Sequence, residues 1–298
     1  FIRSSTDPIL FLEYHRQFTH SLFFIPFGAL MVTFFLYPLF RKTMSLKTVY
    51  LASFLGYATH GLIDACTSYG TLLFWPFSNE RVTWNNISIV DPLFTIPILI
   101  LTGTAIKTRK RLFSFFAIGW VAFYLSLGFV QYERALSALN ELAYSRGHNP
   151  ERLTLKPSFG NLILWKSIYQ HEENFYIDAI RTVRSSTWCR GESVGIFDYQ
   201  RHLPNLNKDS QQKKDIERFR WFSQDYLGFD KEKNLVTDIR YSMIPNQIAP
   251  MWGLVIDDQR DINEHAIWWA SRGLEQGQLD VFKQMLIGKN CRDSALAL

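Results

Sequence analysis

The sequence predicts a multi-span α-helical membrane domain followed by a soluble α+β domain. Three observations carry that expectation. Four long apolar runs succeed one another in the first 132 residues. Two short, strongly basic loops separate them in pairs. From residue 150 onward the texture changes to alternating and amphipathic segments with polar turns. The domains are accordingly drawn at residues 1–132, with a helical connector at 133–149 and the α+β domain at 150–298. A chain of 298 residues has room for two modest domains.

The first run, residues 21–40, reads SLFFIPFGALMVTFFLYPLF, and the fourth, residues 112–131, reads LFSFFAIGWVAFYLSLGFVQ. Neither carries a charge, and about twenty apolar residues cross a hydrocarbon core of roughly 30 Å. The second and third runs, residues 48–65 and 88–106, are shorter and contain ionisable residues. Each of those two taken alone could be a buried core helix; the succession of four favours membrane spans. Pro26, Pro38, Pro92 and Pro97 are tolerable in such helices. Gly56 and Gly61 are small enough to permit close helix contact.

Charge gives these spans an orientation. The net charge of +5 is concentrated in two loops. One holds Arg41, Lys42 and Lys47; the other holds Lys107, Arg109, Lys110 and Arg111. Glu80 and Arg81 cancel between spans two and three, and Arg3 and Arg16 balance Asp7 and Glu13 ahead of span one. The positive-inside rule then puts both basic loops in the cytoplasm. The N-terminal segment, residues 66–87 and everything after Gln131 fall outside, which in a Gram-negative cell is the periplasm. The expected location is therefore the bacterial cytoplasmic (inner) membrane, multi-pass, with an extracytoplasmic C-terminal domain. The basic runs serve topology, so no nucleic-acid partner is expected. Cys66, Cys189 and Cys291 have no ligand-like spacing and read as incidental.

The ionisable residues of the apolar half fall at one depth in this topology. His15 and His20 lie at the mouth of span one, His60 and Asp64 in the last turns of span two, and Asp91 at the start of span three. His60 and Asp64 are spaced i, i+4 and share a helical face. His15 and His20 would point roughly 140° apart in a continuous helix, so His15 converges better from a turn. Ionisable groups within membrane segments are costly and usually functional. Imidazole with carboxylate suits a divalent transition ion, zinc first among them. His15, His20, His60 and Asp64 are the candidate ligands, and Asp64 could instead orient His60 from behind. Asp91, followed by Pro92, reads equally as a helix cap. Arg16 and Thr19 have phosphate-friendly chemistry.

Two segments, EYHRQFTHSLFF and GYATHGLIDACTSYGTLLFWPFS, resemble a bacterial family of membrane-bound, metal-dependent hydrolases long carried as a domain of unknown function. The first matches the family pattern at His15, Arg16, Thr19, His20 and Ser21. The second matches at His60 and Asp64, then at Thr67, Tyr69 and Gly70, then at Trp75, Pro76 and Phe77. A later Asp-Pro-Leu-Phe is matched by Asp91, Pro92, Leu93 and Phe94. The resemblance covers roughly residues 1–130. It implies hydrolysis and does not settle the substrate. The membrane-edge position and Arg16 suggest a phosphoester or lipid-like substrate held near Arg16, with Arg16 and Asp91 as the catalytic candidates and Asp91 as ligand or general base. Family members carry a His-containing helix and a Pro-Asp-x-Asp segment upstream, so further acidic ligands are expected ahead of Phe1.

Residues 66–86 hold Tyr69, Trp75 and Trp84, which suit either a cap over the metal site or an interfacial aromatic belt. In the second domain, NLILWKSIYQ, NFYIDAIRTVR, NLVTDIRYSMI and MWGLVID read as strands. KKDIERFRWFSQDYL and LDVFKQMLI read as helices. His148, His171, Glu172, Glu173, His202 and His265 form no ligand motif and read as scattered surface groups. Two further classes stay open. One is a non-enzymatic membrane scaffold or envelope-stress protein with a structural metal, engaging a protein partner through the C-terminal domain. The other is a small transporter. In every reading the lipid bilayer is a partner; in the leading one so is a small-molecule or lipid substrate.

Overall fold

The computed structural model describes residues 4–271, 273, 277–289 and 291–293. Arg3, counted above in the loop charges, lies outside them. The chain divides into two compact units, one of Leu10–Asn85 and one of Ser4–Ile9 with the chain from Asn86 onward.

The first unit is helical. A short helix α1 (Leu10–Tyr14) leads into two 3-10 turns, Phe18–His20 and Leu22–Phe24, and then into α2 (Ile25–Phe40). Ser21 separates the turns and caps the second by accepting from the Phe24 amide. Helix α3 (Leu46–Cys66) opens on Ser45, which accepts from the Thr48 amide, and lies against α2. Gly28 of α2 is where the two helices press closest, because a Cβ there would meet the Tyr57 ring at 2.3 Å. Residues 67–85 fold back through an isolated bridge between Thr71 and Val82.

The second unit begins with α4 (Pro92–Thr108) and α5 (Arg111–Ser145), which pack on each other. The multi-span expectation is overturned here. Among the described residues, two helical stretches, Leu22–Phe40 and Arg111–Ser145, are long and apolar enough to cross a membrane, by length and composition. Helix α4 is apolar but has 17 residues. Helix α3 has 21, but Thr48, Ser53, Tyr57, Thr59, His60 and Asp64 dilute its apolar character. The four-span topology, and the orientation read from it, lose their basis. Helix α5 also runs unbroken through residue 132, so most of the connector segment is its C-terminal half.

The α+β expectation is corrected as well, to two antiparallel sheets with a few helices against them. The first sheet contains β1 (Arg152–Pro157), β2 (Leu164–His171), β3 (Asn174–Thr182) and β4 (Ser186–Gly195). After α6 (Tyr199–His202) and α7 (Gln211–Phe222) comes a second sheet of β5 (Leu227–Asp230), β6 (Leu235–Asp238), β7 (Trp252–Val255) and β8 (Ile267–Ala270). Helix α8 (Gln278–Leu286) precedes β9 (Arg292–Asp293), which pairs with β4 and closes a sheet of order β1-β2-β3-β4-β9. The second sheet has the order β5-β6-β7-β8. The four segments expected to be strands contain β2, β3, β6 and β7. Among the others, β4 carries Gly191 and Gly195, and β5 and β8 have only four residues each.

Strand alternation explains why β2 and β3 are buried on both faces. Trp165, Tyr169 and Ile180 pack with Ala135, Leu139 and Leu142 of α5. On the opposite face, Leu164 and Ala179 pack with Met285 of α8, and Ile168 and Ile177 with Tyr226 and Ile239. Arg146 ties the end of α5 to β3 by donating to both carboxylate oxygens of Asp178, at 2.6 and 2.9 Å. His265 is not a loose surface group, since its Nδ1 lies 2.9 Å from the buried Asp215 carboxylate. Arg218 pairs with both Asp215 and Asp7, which anchors the Ser4–Ile9 segment to α7. The reading of all three cysteines as incidental is corrected too: Cys189 and Cys291 form a disulfide, and Cys66 is a buried thiol outside it.

Lys166 is buried in this domain, donating to Ser242 Oγ at 2.8 Å and the Gln247 carbonyl at 2.7 Å. Burial pulls its ammonium down to about 7 from the ordinary 10.5. Between those values the unfolded chain binds the proton that the folded chain has released, so stability rises with pH, by up to ~1.4 kcal/mol per pH unit. Thermal unfolding across pH 7–10 should show that rise, and Lys166→Met should flatten it. Joining residues 102 apart, the disulfide is expected to contribute about 2–5 kcal/mol. Urea unfolding of the Cys189→Ala/Cys291→Ala variant, with and without reductant, measures it.

Candidate metal centre

The centre lies within the first unit and is built from the end of α3 and the turn that precedes α2. Gly61 makes it possible. A Cβ at that position would stand 2.3 Å from the His20 carbonyl oxygen, so only glycine lets the 3-10 turn rest on the helix. Tyr57, one turn earlier, donates from its hydroxyl to the Thr19 carbonyl at 2.7 Å. These two contacts set His20 beside the helical face that carries His60 and Asp64.

The Oδ2 atom of Asp64 is the focus. His20 Nε2 lies 3.1 Å from it, His60 Nε2 4.0 Å and Arg16 Nε 3.2 Å. The two imidazole rings are 4.3 Å apart. The other ring nitrogen of His20, Nδ1, is held by Thr19 Oγ1 at 2.9 Å, so Nε2 is the nitrogen aimed at the carboxylate. Donor atoms of His20, His60 and Asp64 all fall within 4.8 Å of one another. Nitrogen and oxygen ligands of a tetrahedral zinc ion stand roughly 3.3–3.5 Å apart, given bonds of about 2.0–2.2 Å. The observed 3.1 and 4.0 Å bracket that spacing. Two imidazoles and one carboxylate, with the His60 side chain 52% exposed, fit a three-ligand site with an open side.

Arg16 does not point into open space. Its NH1 donates to Thr67 Oγ1 at 2.7 Å and to the Asp64 carbonyl at 3.2 Å, while its Nε faces the Asp64 carboxylate. The guanidinium thus holds Asp64 and also sits at the negative C-terminal end of α3. Its backbone is left-handed, with φ of 55°, and its carbonyl accepts from the Leu72 amide.

His15 is not part of the donor group. Its ring meets the edge of Tyr69, with centroids 4.7 Å apart. Burial, then the charges of Arg16 and Arg81, hold its imidazole at about 4, so it is neutral near pH 7. Tyr69 lies between two guanidinium groups, Arg16 at 5.3 Å and Arg81 at 5.9 Å. Asp91 belongs to the second unit. There it caps α4 by accepting from the Phe94 amide and receives the Tyr124 hydroxyl at 2.9 Å.

Sequence reasoning missed Arg81, weighed only as a charge that cancels Glu80. It is buried and donates to the Gly70 carbonyl at 2.9 Å. Its proximity to Tyr69 follows from the Thr71–Val82 bridge, which no spacing rule predicts. The parts played by Thr67 and Tyr69 were foreshadowed by their place in the second motif.

Residues 2–135 match the family model described as YdjM inner membrane protein. The YdjM match covers every residue of the centre and also Asp91. It supports a bacterial inner-membrane protein; its description names neither hydrolysis nor a metal. The two-sheet domain falls beyond the YdjM region. No curated protein and no solved structure matches the chain.

Overpacking a close backbone contact usually costs about 1–3 kcal/mol, so Gly61→Ala should lower stability by that order. Gly56→Ala has nothing within 4 Å of the added Cβ and should gain up to ~1 kcal/mol from helix propensity. Thermal unfolding of the two variants of the detergent-solubilised chain, side by side, measures the difference.

Proposed function

We propose that the chain is a metal-dependent hydrolase of the bacterial inner membrane, acting on a phosphoester or lipid-like substrate. The observation that carries the reading is the convergence of His20, His60 and Asp64 donor atoms within 4.8 Å. Those three residues would hold the ion, and zinc suits the donor set. When bound, such an ion supplies Lewis acidity that polarises a phosphoryl or carbonyl oxygen and acidifies water.

The remaining chemistry belongs to the protein. Thr19 fixes the His20 ring so that Nε2 faces the ion site. Arg16 pairs with Asp64 and orients it, which makes it a positioning residue rather than a substrate contact. The Tyr69 ring lies against the Arg16 guanidinium, 5.3 Å from its centroid. The exposed side of His60 is where a substrate would approach. Asp91 serves the reading only as the cap of α4.

The Cys189–Cys291 disulfide supports an extracytoplasmic place for the two-sheet domain, since such bonds persist in oxidising compartments. A second reading rests on the same carboxylate. Arg16 and His20 already satisfy Asp64 electrostatically, as they would in a scaffold whose charged cluster has a structural role.

Elemental analysis of the purified full chain separates the two. The hydrolase reading expects about one zinc per chain, at least tenfold less in His60→Ala and Asp64→Asn, and an affinity loss of about 10–100-fold in Arg16→Ala. It also expects turnover across a panel of phosphoesters and acyl esters to follow zinc occupancy. Zinc content that ignores His60 and Asp64 sinks the ligand assignment; full occupancy with no turnover leaves the scaffold.

A further inference from the structure

A groove between α2 and α3 ends at the candidate centre. It encloses about 510 Å³ and is lined by Val32 and Leu36 of α2, by Val49 and Gly56 of α3, and by Tyr57 and His60 at the end nearest the centre. Phe40 and Met44 line it toward the α2–α3 turn. We propose that this groove holds one acyl chain of a membrane lipid, with the lipid's polar group at His20, His60 and Asp64. The inference deepens the hydrolase reading, on which its substrate assignment rests.

The chemistry of the lining excludes a polar occupant. Its side-chain polar atoms are few: Ser53 Oγ, the Tyr57 hydroxyl and the His60 ring. Tyr57 is already committed to the Thr19 carbonyl. Ser53 Oγ is buried and has no hydrogen-bond partner among the described residues. It lies seven residues before His60, about two helical turns away on the same face.

The length fits as well. From Val49 to His60 the helix rises about 16 Å at roughly 1.5 Å per residue. Half of a hydrocarbon core of ~30 Å is about 15 Å, the depth of one leaflet. The surroundings are those of a bilayer contact. Leu30, Phe34, Phe35 and Leu39 of α2 are exposed and apolar, and the stretch is one of the two able to cross a membrane. Gly56 lines the groove with open space in front of its Cα. A side chain added there starts into the groove with nothing within 4 Å of its Cβ.

The test is photocrosslinking of the full chain in vesicles of phosphatidylethanolamine and phosphatidylglycerol that contain a phospholipid with a diazirine in one acyl chain. Mass mapping should place adducts on Leu36, Val49 and Ala52. Gly56→Phe should lower their yield at least tenfold while zinc content stays that of the wild type. Ala52→Leu, a smaller obstruction, should lower it severalfold and serves if Gly56→Phe does not fold. His60→Ala should lose zinc yet keep the Val49 adduct. Adducts spread over Phe34, Phe35 and Leu39 and insensitive to Gly56→Phe overturn the groove. So does protection of the groove by a second copy of the chain. Groove adducts in a chain that binds no zinc would leave the acyl site standing and remove the hydrolase reading alone.

Discussion

The carbonyl of His20 lies so close to the Cα of Gly61 that no side chain fits between them. Everything distinctive in the helical unit follows from that approach. It sets the turn before α2 against the C-terminal part of α3 and brings an imidazole from one segment to an imidazole and a carboxylate of another. Tyr57 reinforces it with one hydrogen bond, and Gly28 makes room for the Tyr57 ring against α2. The same stretch of α3 therefore does two jobs. Gly61 and Tyr57 position the polar centre, and Gly56 one turn earlier opens the apolar groove.

Asp64 is the electrostatic hub of this arrangement. A carboxylate in a half-buried place is tolerable here because the Arg16 guanidinium faces it at 3.2 Å and the His20 ring nitrogen lies 3.1 Å from it. The network leaves the more exposed imidazole, His60, facing outward. An open side of that kind suits the ion-binding role proposed for the centre. Arg16 and Tyr69 show how far the support extends: the loop after α3 returns to stack on the arginine that grips the helix end.

The two-sheet domain is held by different means. Its central strands are covered on both faces, by α5 on one side and by the second sheet and α8 on the other. Full coverage explains why their sequence lacks the plain alternation of a half-exposed strand. It also explains the buried charges, because Lys166 and the Asp238–Arg240 pair must find partners inside the fold. The disulfide ties the late segment after α8 to β4.

Much of the candidate centre was legible in the sequence. The i, i+4 spacing of His60 and Asp64 guarantees a shared helical face, and HRQFTH announces a second set of donors beside an apolar helix. Apolar length alone marked residues 21–40 and 112–131. What the sequence left open was decided by contacts between distant segments. Whether His15 or His20 joins the cluster depends on the turn at Arg16 and on Gly61, not on spacing. Asp91 looks the same as a cap or as a base until Tyr124 is seen against it. Residues 48–65 and 88–106 have the composition of either spans or packed helices, and helix length and dilution by polar residues separate those outcomes. Cys189 and Cys291 are 102 positions apart, and only the path of β4 and the strand after α8 brings them together. Local periodicity determined the helices and their polar faces; the pairing of those faces is a long-range property that close packing alone could decide.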